Sequence, residues 1–468
     1  MRKRLINLLA SVLLLTPAAA CGEGSSSNST SDGSQSNGST ASSVPGSNSG
    51  SEAETKLWNK DPVVSKVFFD DFSNGVRSDV WQAKNETWGA NNHGVSSNNV
   101  FYSTNRAKVA AAGAEGGIVV LRSFGDLQQD ENLRRQGSAL TSRDTFGPGK
   151  YEVRMKVLPR LGQCTAAWTY YNGGGTTRED NVYSEIDIEM PMRGDYRVWS
   201  GTSYERFVDW NILADRQTVN IDDCGGLNDG KWHTYAFEWR TDEANGDRGV
   251  VWYRDGVKYA EAREFVPVHK AALNIGNWFP DDLSWVGKPN FEEAYMYIDW
   301  VRVTEYEDPS KPGGGGGPGG GNAVNLNAKD IPVNNYISNG SFTAKSESVL
   351  GWESVADDAF AFADGKAKIN GGKRVTQMIN AQYEGYSFLI DADVSVAGTG
   401  KCKVYAEYMY GSVRMGKSDP IEFDSSASGN KTLEFSITNG KVTDLRIVVE
   451  TEDGATATVN NLSMFKQS

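Results

Sequence analysis

Residues Ser184-Glu185-Ile186-Asp187-Ile188-Glu189-Met190 alternate strictly between polar and apolar side chains. A period of two belongs to a β-strand with one buried and one exposed face. Ile186, Ile188 and Met190 then face a core, and Glu185, Asp187 and Glu189 share the opposite side. Three like charges in a row cost folding energy and raise the pKa of at least one of them. Stability gives no reason for such a row; chemistry does. Retaining glycoside hydrolysis uses one ionised carboxyl to attack the anomeric carbon and one protonated carboxyl to assist the departing oxygen, roughly 5–5.5 Å apart. Positions i and i+4 of a flat strand are about 13 Å apart at Cα. The Glu185 and Glu189 side chains must therefore lean together on a twisted sheet, with Asp187 between them. A solvated acidic edge strand or a cluster of calcium ligands fits the same pattern.

The rest of the chain is β-like too. Short alternating runs recur at Lys66–Phe72, Gly117–Arg122, Lys150–Val157, Thr165–Tyr171, Lys231–Arg240, Gly249–Arg254 and Ala294–Glu305. Many strands at this spacing, with a hairpin signal at Asp255-Gly256, predict an all-β sandwich. A second set follows at Val375–Ile379, Ser387–Val394, Lys403–Tyr410, Thr432–Ile437, Asp444–Glu450 and Ala457–Leu462. At 468 residues the chain exceeds one ordinary core. Composition divides it into a leader over 1–21, a Ser/Gly/Asn-rich flexible tether over 22–57, a β unit over 58–308, a Pro/Gly linker over 309–322 and a smaller β unit over 323–468.

The leader joins Arg2-Lys3-Arg4 to an apolar run, Leu5 to Leu15, and then Ala18-Ala19-Ala20-Cys21. It resembles a bacterial lipoprotein signal, which implies export and lipid attachment at Cys21, with the protein held at a membrane on the cell surface or outside the cell. Cys164 and Cys224 fall in one unit and are candidates for pairing, whereas Cys402 reads as a buried free thiol. Three histidines leave no basis for a His-based metal site. A net charge of −13 argues against nucleic acid and is compatible with a neutral polysaccharide. A monomer is expected.

Glu185-Ile186-Asp187-Ile188-Glu189 resembles the active-site strand of family 16 glycoside hydrolases, concanavalin-like β-jelly-roll enzymes. The resemblance implies Glu185 as nucleophile, Glu189 as acid/base and Asp187 as their assistant, with no cofactor for catalysis. The motif lacks the extra residue of laminarinases and agarases, as in lichenases and xyloglucan-active members. Mixed-linkage β-1,3-1,4-glucan is thus the expected substrate. Laminarin, xyloglucan, transglycosylation and an inactive surface glycan-binding protein are the alternatives.

Other residues take expected roles from the same resemblance. Glu152 and Arg154, on the polar face of Lys150–Val157, match cleft positions of a strand beside the catalytic one, the Arg holding the nucleophile ionised. Trp168 and Tyr170 match sugar-contacting aromatics, whose rings stack on pyranose C–H faces; either could instead be core. Tyr183 stands where lichenases carry a Trp, and Trp278 resembles a Trp of the late cleft loop, with Asn274 nearby. Asp299 matches the carboxylate that ligates a structural calcium; an ordinary hydrogen-bonded Asp fits as well. The second unit resembles carbohydrate-binding modules of the family 4/9 type, which implies glycan contacts at Trp352, Gln377 and Tyr405. Tyr405 and Tyr408 fall on opposite faces of their strand, so at most one of them meets a ligand.

Overall fold

The computed structural model describes residues 57–467, apart from 90–92, 128–131, 159, 173–181, 192–197, 208–212, 222–229, 290, 311, 315–319, 344–350, 355–358 and 381–385. The leader with Cys21, the tether up to residue 56 and Cys224 lie outside the described residues.

Two sheets laid face to face make the first unit. The back sheet holds β1 (Val64–Asp70), β3 (Val100–Ser103), β4 (Ile118–Phe124), β6 (Gly149–Lys156), β11 (His233–Asp242), β12 (Asp247–Arg254), β13 (Val257–Ala262), β15 (Glu293–Tyr306) and β16 (Val324–Asn325). Among the described residues their order is β13-β12-β11-β6-β15-β4-β3-β16, with β1 also beside β15. The front sheet holds β2 (Trp81–Ala83), β5 (Ser138–Phe146), β7 (Cys164–Asn172), β8 (Val182–Pro191), β9 (Val198–Phe207), β10 (Leu213–Ile221) and β14 (Ala271–Trp278). Its order is β10-β9-β8-β7-β14-β5-β2. The runs read from alternation fall within a few residues of β1, β4, β6, β7, β8, β11, β12 and β15. Asp255 and Gly256 both have positive φ, 50° and 79°, as a two-residue type I′ turn between β12 and β13 requires.

One core lies between these sheets. Tyr151, Val153 and Met155 of β6, Trp239 of β11 and Trp252 of β12 reach it from the back. Ile186, Ile188 and Met190 of β8 and Leu273 and Ile275 of β14 reach it from the front. Burying this much apolar surface is the main force holding the sandwich together.

The second unit is also a sandwich. Its larger sheet holds β17 (Trp352–Ser354), β20 (Arg374–Asn380), β22 (Cys402–Tyr410), β23 (Val413–Lys417), β24 (Ile421–Phe423) and β26 (Asp444–Thr451). The smaller holds β18 (Phe360–Ala363), β19 (Lys366–Ile369), β21 (Ser387–Gly398), β25 (Gly429–Ser436) and β27 (Ala455–Lys466). Val375, Val404 and Ile447 from one and Ile390, Val394 and Val459 from the other meet in its core.

Between the two sandwiches, described residues of the connecting stretch pack on the first. Val324–Asn325, on the second unit's side of the sequence boundary, pairs parallel to β3, and Leu326 packs with Val109, Ile118 and Val120. The strand covers an edge that would otherwise expose open hydrogen-bonding groups. A Cβ on Gly313 would sit 1.5 Å from the Lys270 carbonyl, so that glycine permits a close backbone approach as well as a bend. Further on, the buried Arg160 donates to the carbonyls of Asn335 and Tyr336 and stacks on the Tyr336 ring. Burial brings its guanidinium down to about 10, against the opposing pull of Tyr336.

Candidate active site

The site is built on β8. Ile186, Ile188 and Met190 are inside the core, and the part-exposed Glu185, Asp187 and Glu189 alternate with them on the outer face of the front sheet. The register with β7 runs without a shift from Tyr183 to Pro191. Directly opposed residues of an antiparallel pair share a face. Tyr170 stands opposite Glu185, and Trp168 opposite Asp187. Both aromatics are part-exposed while Ala167 and Thr169, on either side of Trp168, are buried, so they line the face that carries the acids. Opposite Glu189 comes Ala166, and beyond it Gly276 of β14. Those two positions carry a methyl and a hydrogen. The sheet therefore carries only small residues beside Glu189.

An aromatic wall borders the trough. Trp88 lies with its ring centroid 5.0 Å from Trp278 and 6.4 Å from Trp168, and Trp285 lies 6.4 Å from Trp278. All four tryptophans are part-exposed. Trp168 and Trp278 are as expected from sequence. Trp88 and Trp285, the latter on the short helix Leu283–Val286, are additional members. Asn274 is opposite Trp168, buried, and accepts from the Thr141 hydroxyl at 2.7 Å, which makes it a support beneath the aromatics. Strand β8 is also held from within. The indole of Trp252, on the back sheet, crosses the core and donates to the Asp187 carbonyl at 3.0 Å.

Several expected site residues are elsewhere. Glu152 and Arg154 belong to β6, in the back sheet, not beside β8. Both strands turn their apolar residues to the same core, so the polar faces leave the sandwich on opposite sides. Glu152 pairs with Lys150 at 3.3 Å and Arg302 at 3.6 Å. Arg154 pairs with Asp299 and lies over the Trp232 ring. Arg154→Gln is expected to leave kcat/KM for glucan within about twofold and to lower stability by roughly 2–4 kcal/mol, because Asp299 is fully buried and would lose its cation. Steady-state kinetics and a denaturant melt on one preparation check both halves.

Asp299 does not fit calcium. Its carboxylate accepts from the Glu115 N–H at 2.8 Å and from the Arg154 guanidinium. A resident cation already sits on the anionic group that calcium would need. Among the described residues no group of three or more His, Cys, Asp or Glu side chains could hold a metal.

Cys164 is buried, and the expected partner Cys224 lies outside the described residues. Burial first, and then the Glu189 carboxylate, pushes the Cys164 thiol well up. A neutral thiol at this depth packs as a small apolar group. Cys402 is free and buried. Tyr183 is on β8, two residues before Glu185, but its side chain lies outside the described residues.

The accessory-domain contacts are corrected as well. Trp352 is in the second core against Phe342, and Gln377 exchanges two hydrogen bonds with the backbone of Ser338. A buried ring and a fully used amide have nothing to offer a sugar. Tyr405 does lie on the face away from the core, but its hydroxyl donates to Glu450 at 2.9 Å and its ring is 5 % exposed.

With the geometry in place, comparison with known proteins gives a consistent outcome. Residues 81–302 match the model of the glycosyl hydrolases family 16, a span that contains the acids, the trough and the tryptophans. That stretch of the chain is similar to a family 16 domain. It is similar to the beta-glucanase of Bacillus subtilis (strain 168), 27% identical over 172 residues, which are 35% of this chain and 61% of that protein. The beta-glucanase of Paenibacillus polymyxa is 28% identical over 172 residues, 35% of this chain and 62% of that one. The chain thus spans about three fifths of the length of these curated relatives. Among solved structures, a lichenase from a mouse hindgut metagenome is 21% identical with a TM-score of 0.38, covering 52% of this chain and all of its own. The laminarinase catalytic domain of Thermotoga maritima is 19% identical with a TM-score of 0.39, covering 52% and 98%. The matched span includes nearly all of both sheets of the first sandwich.

Proposed function

We propose that this chain is an endo-acting β-glucanase that works by double displacement. The observation that carries the reading is the outward row Glu185-Asp187-Glu189, with Tyr170 and Trp168 facing it across one strand. Glu185 attacks the anomeric carbon of a glucosyl unit while Glu189 gives a proton to the departing glycosidic oxygen. Glu189, now a carboxylate, takes a proton from water, and the hydroxide displaces Glu185 from the covalent glycosyl-enzyme. The first proton leaves on the departing hydroxyl and the water's proton restores Glu189, so the cycle closes on one water with no organic cofactor or metal. Asp187 separates the two charges and modulates both. The apolar rings of Trp168, Tyr170, Trp88 and Trp278 offer stacking surface to successive sugars.

The uninterrupted Glu-x-Asp-x-Glu spacing and the beta-glucanase relatives favour mixed-linkage β-1,3-1,4-glucan as substrate. The leader supports export with lipid attachment at Cys21, which would hold a monomeric enzyme at a membrane while it works on a polymer. Reducing-end release from lichenan, laminarin, xyloglucan and a sulfated galactan tests the substrate. Lichenan is expected to give the highest kcat/KM, by about tenfold or more over each of the others. A clear preference for laminarin or xyloglucan overturns the linkage assignment. Binding without cleavage of any of the four overturns the enzyme.

A further inference from the structure

The second sandwich carries a charge arrangement that its own stability does not require. On β22, Val404 and Ala406 enter the core, so Tyr405 and Glu407 lie on the outer face of the larger sheet. Three arginines from three different strands converge on the Glu407 carboxylate. Arg374 of β20 donates at 2.5 Å, Arg414 of β23 at 3.0 Å and Arg446 of β26 at 3.5 Å. One carboxylate balances one guanidinium, and the cluster keeps an excess of two positive charges on a chain whose net charge is −13.

The donor inventory is as lopsided as the charge. Each guanidinium has five N–H groups. Among the described residues, the only other partner that the three arginines have is the Met378 sulfur, which takes the Arg446 Nε–H. The Arg374 Nε is buried and has no partner. Arg414 is the most open of the three, with 57 % of its side chain exposed, while Glu407 beneath is 1 % exposed. A fourth cation, Lys417, lies 5.0 Å over the Tyr405 ring, whose hydroxyl engages Glu450. The buried glutamate thus fixes the fork geometry of three guanidiniums, and the donors that remain match an oxyanion in the bidentate manner of arginine.

We propose that this face binds an acidic glycan, one whose sugars carry carboxylate or sulfate groups, with the arginines on the anionic group. A nucleic acid fits less well, because the cluster is small and the rest of the chain repels a long polyanion. The site is separate from the trough and does not depend on the hydrolase reading.

Isothermal titration of the full chain with oligogalacturonate, a sulfated galactan oligosaccharide and a neutral cello-oligosaccharide tests it. At least one acidic ligand should bind, with affinity falling as salt rises, and the neutral one should not. Which acidic ligand binds separates carboxylate from sulfate. Arg414→Gln should weaken that binding about tenfold and leave lichenan turnover unchanged. Glu407→Gln removes the one negative charge at the centre and should strengthen binding, provided that its melting curve shows a folded second unit; Arg414→Gln decides the matter if it does not. No binding of either acidic ligand overturns the proposal. So does equal binding of the neutral one, or an Arg414→Gln affinity equal to that of the parent.

Discussion

Glu185→Ala is expected to lower kcat on lichenan by about 10⁴-fold or more, with little change in KM, because the proposed double displacement makes its covalent bond through this residue. Its register partner Tyr170 and the stacking residues are untouched, so substrate still binds. Azide then gives a sharper reading than the rate alone. The space left by the carboxylate admits the small anion, which attacks the same face of the sugar and yields a glycosyl azide of inverted configuration. Glu189→Ala should behave differently. Its loss costs about 10²–10⁴-fold on a glucan and much less on an aryl glycoside, whose leaving group needs no proton. Azide rescue of that variant works on the glycosyl-enzyme and gives the retained configuration. Opposite configurations from the two variants would fix the two roles; the same configuration from both would exclude this division of labour.

The second large effect is on stability, and it comes from the opposite sheet. Trp252→Ala removes one of the largest fully buried side chains and is expected to cost about 3–5 kcal/mol. A denaturation midpoint lower by roughly 10 °C would accompany it. Trp252→Phe separates packing from hydrogen bonding. The ring largely fills the space, but the Asp187 carbonyl loses its indole donor under the catalytic row. Losing that hydrogen bond costs about 1 kcal/mol, and β8 loses its tie to the back sheet at the residue between the two glutamates. We expect kcat of Trp252→Phe to fall several-fold while KM holds. An unchanged kcat and midpoint in that variant would show that the strand is fixed by its own sheet alone.

How the sequence could and could not reveal this site follows from what a period of two encodes. Alternation in Ser184–Met190 and in Lys150–Val157 shows which side chains go inward, and both inward sets are in the core. It does not show which of two stacked sheets a strand joins. Glu152 and Arg154 therefore look like neighbours of Glu185 in sequence terms, and the fold puts them on the far side of the sandwich. Trp88 and Trp285 were hidden for another reason. They come from segments nearly two hundred positions apart, a loop and a short helix, and only the fold brings them to Trp168 and Trp278. Trp352 and Gln377 have the chemistry of sugar contacts, but a ring and an amide serve a core and a backbone equally well. Burial decides between the two uses, and burial depends on distant parts of the chain.

The account rests on the carboxylates at 185 and 189 meeting one sugar ring above the front sheet. Trapping the glycosyl-enzyme with a 2-deoxy-2-fluoro β-glucosyl reagent, followed by peptide mass mapping, tests this most directly. A single covalent adduct on Glu185, absent from Glu185→Ala, is the predicted result. Label on any other residue, or turnover of the reagent with inversion and no adduct, would contradict it.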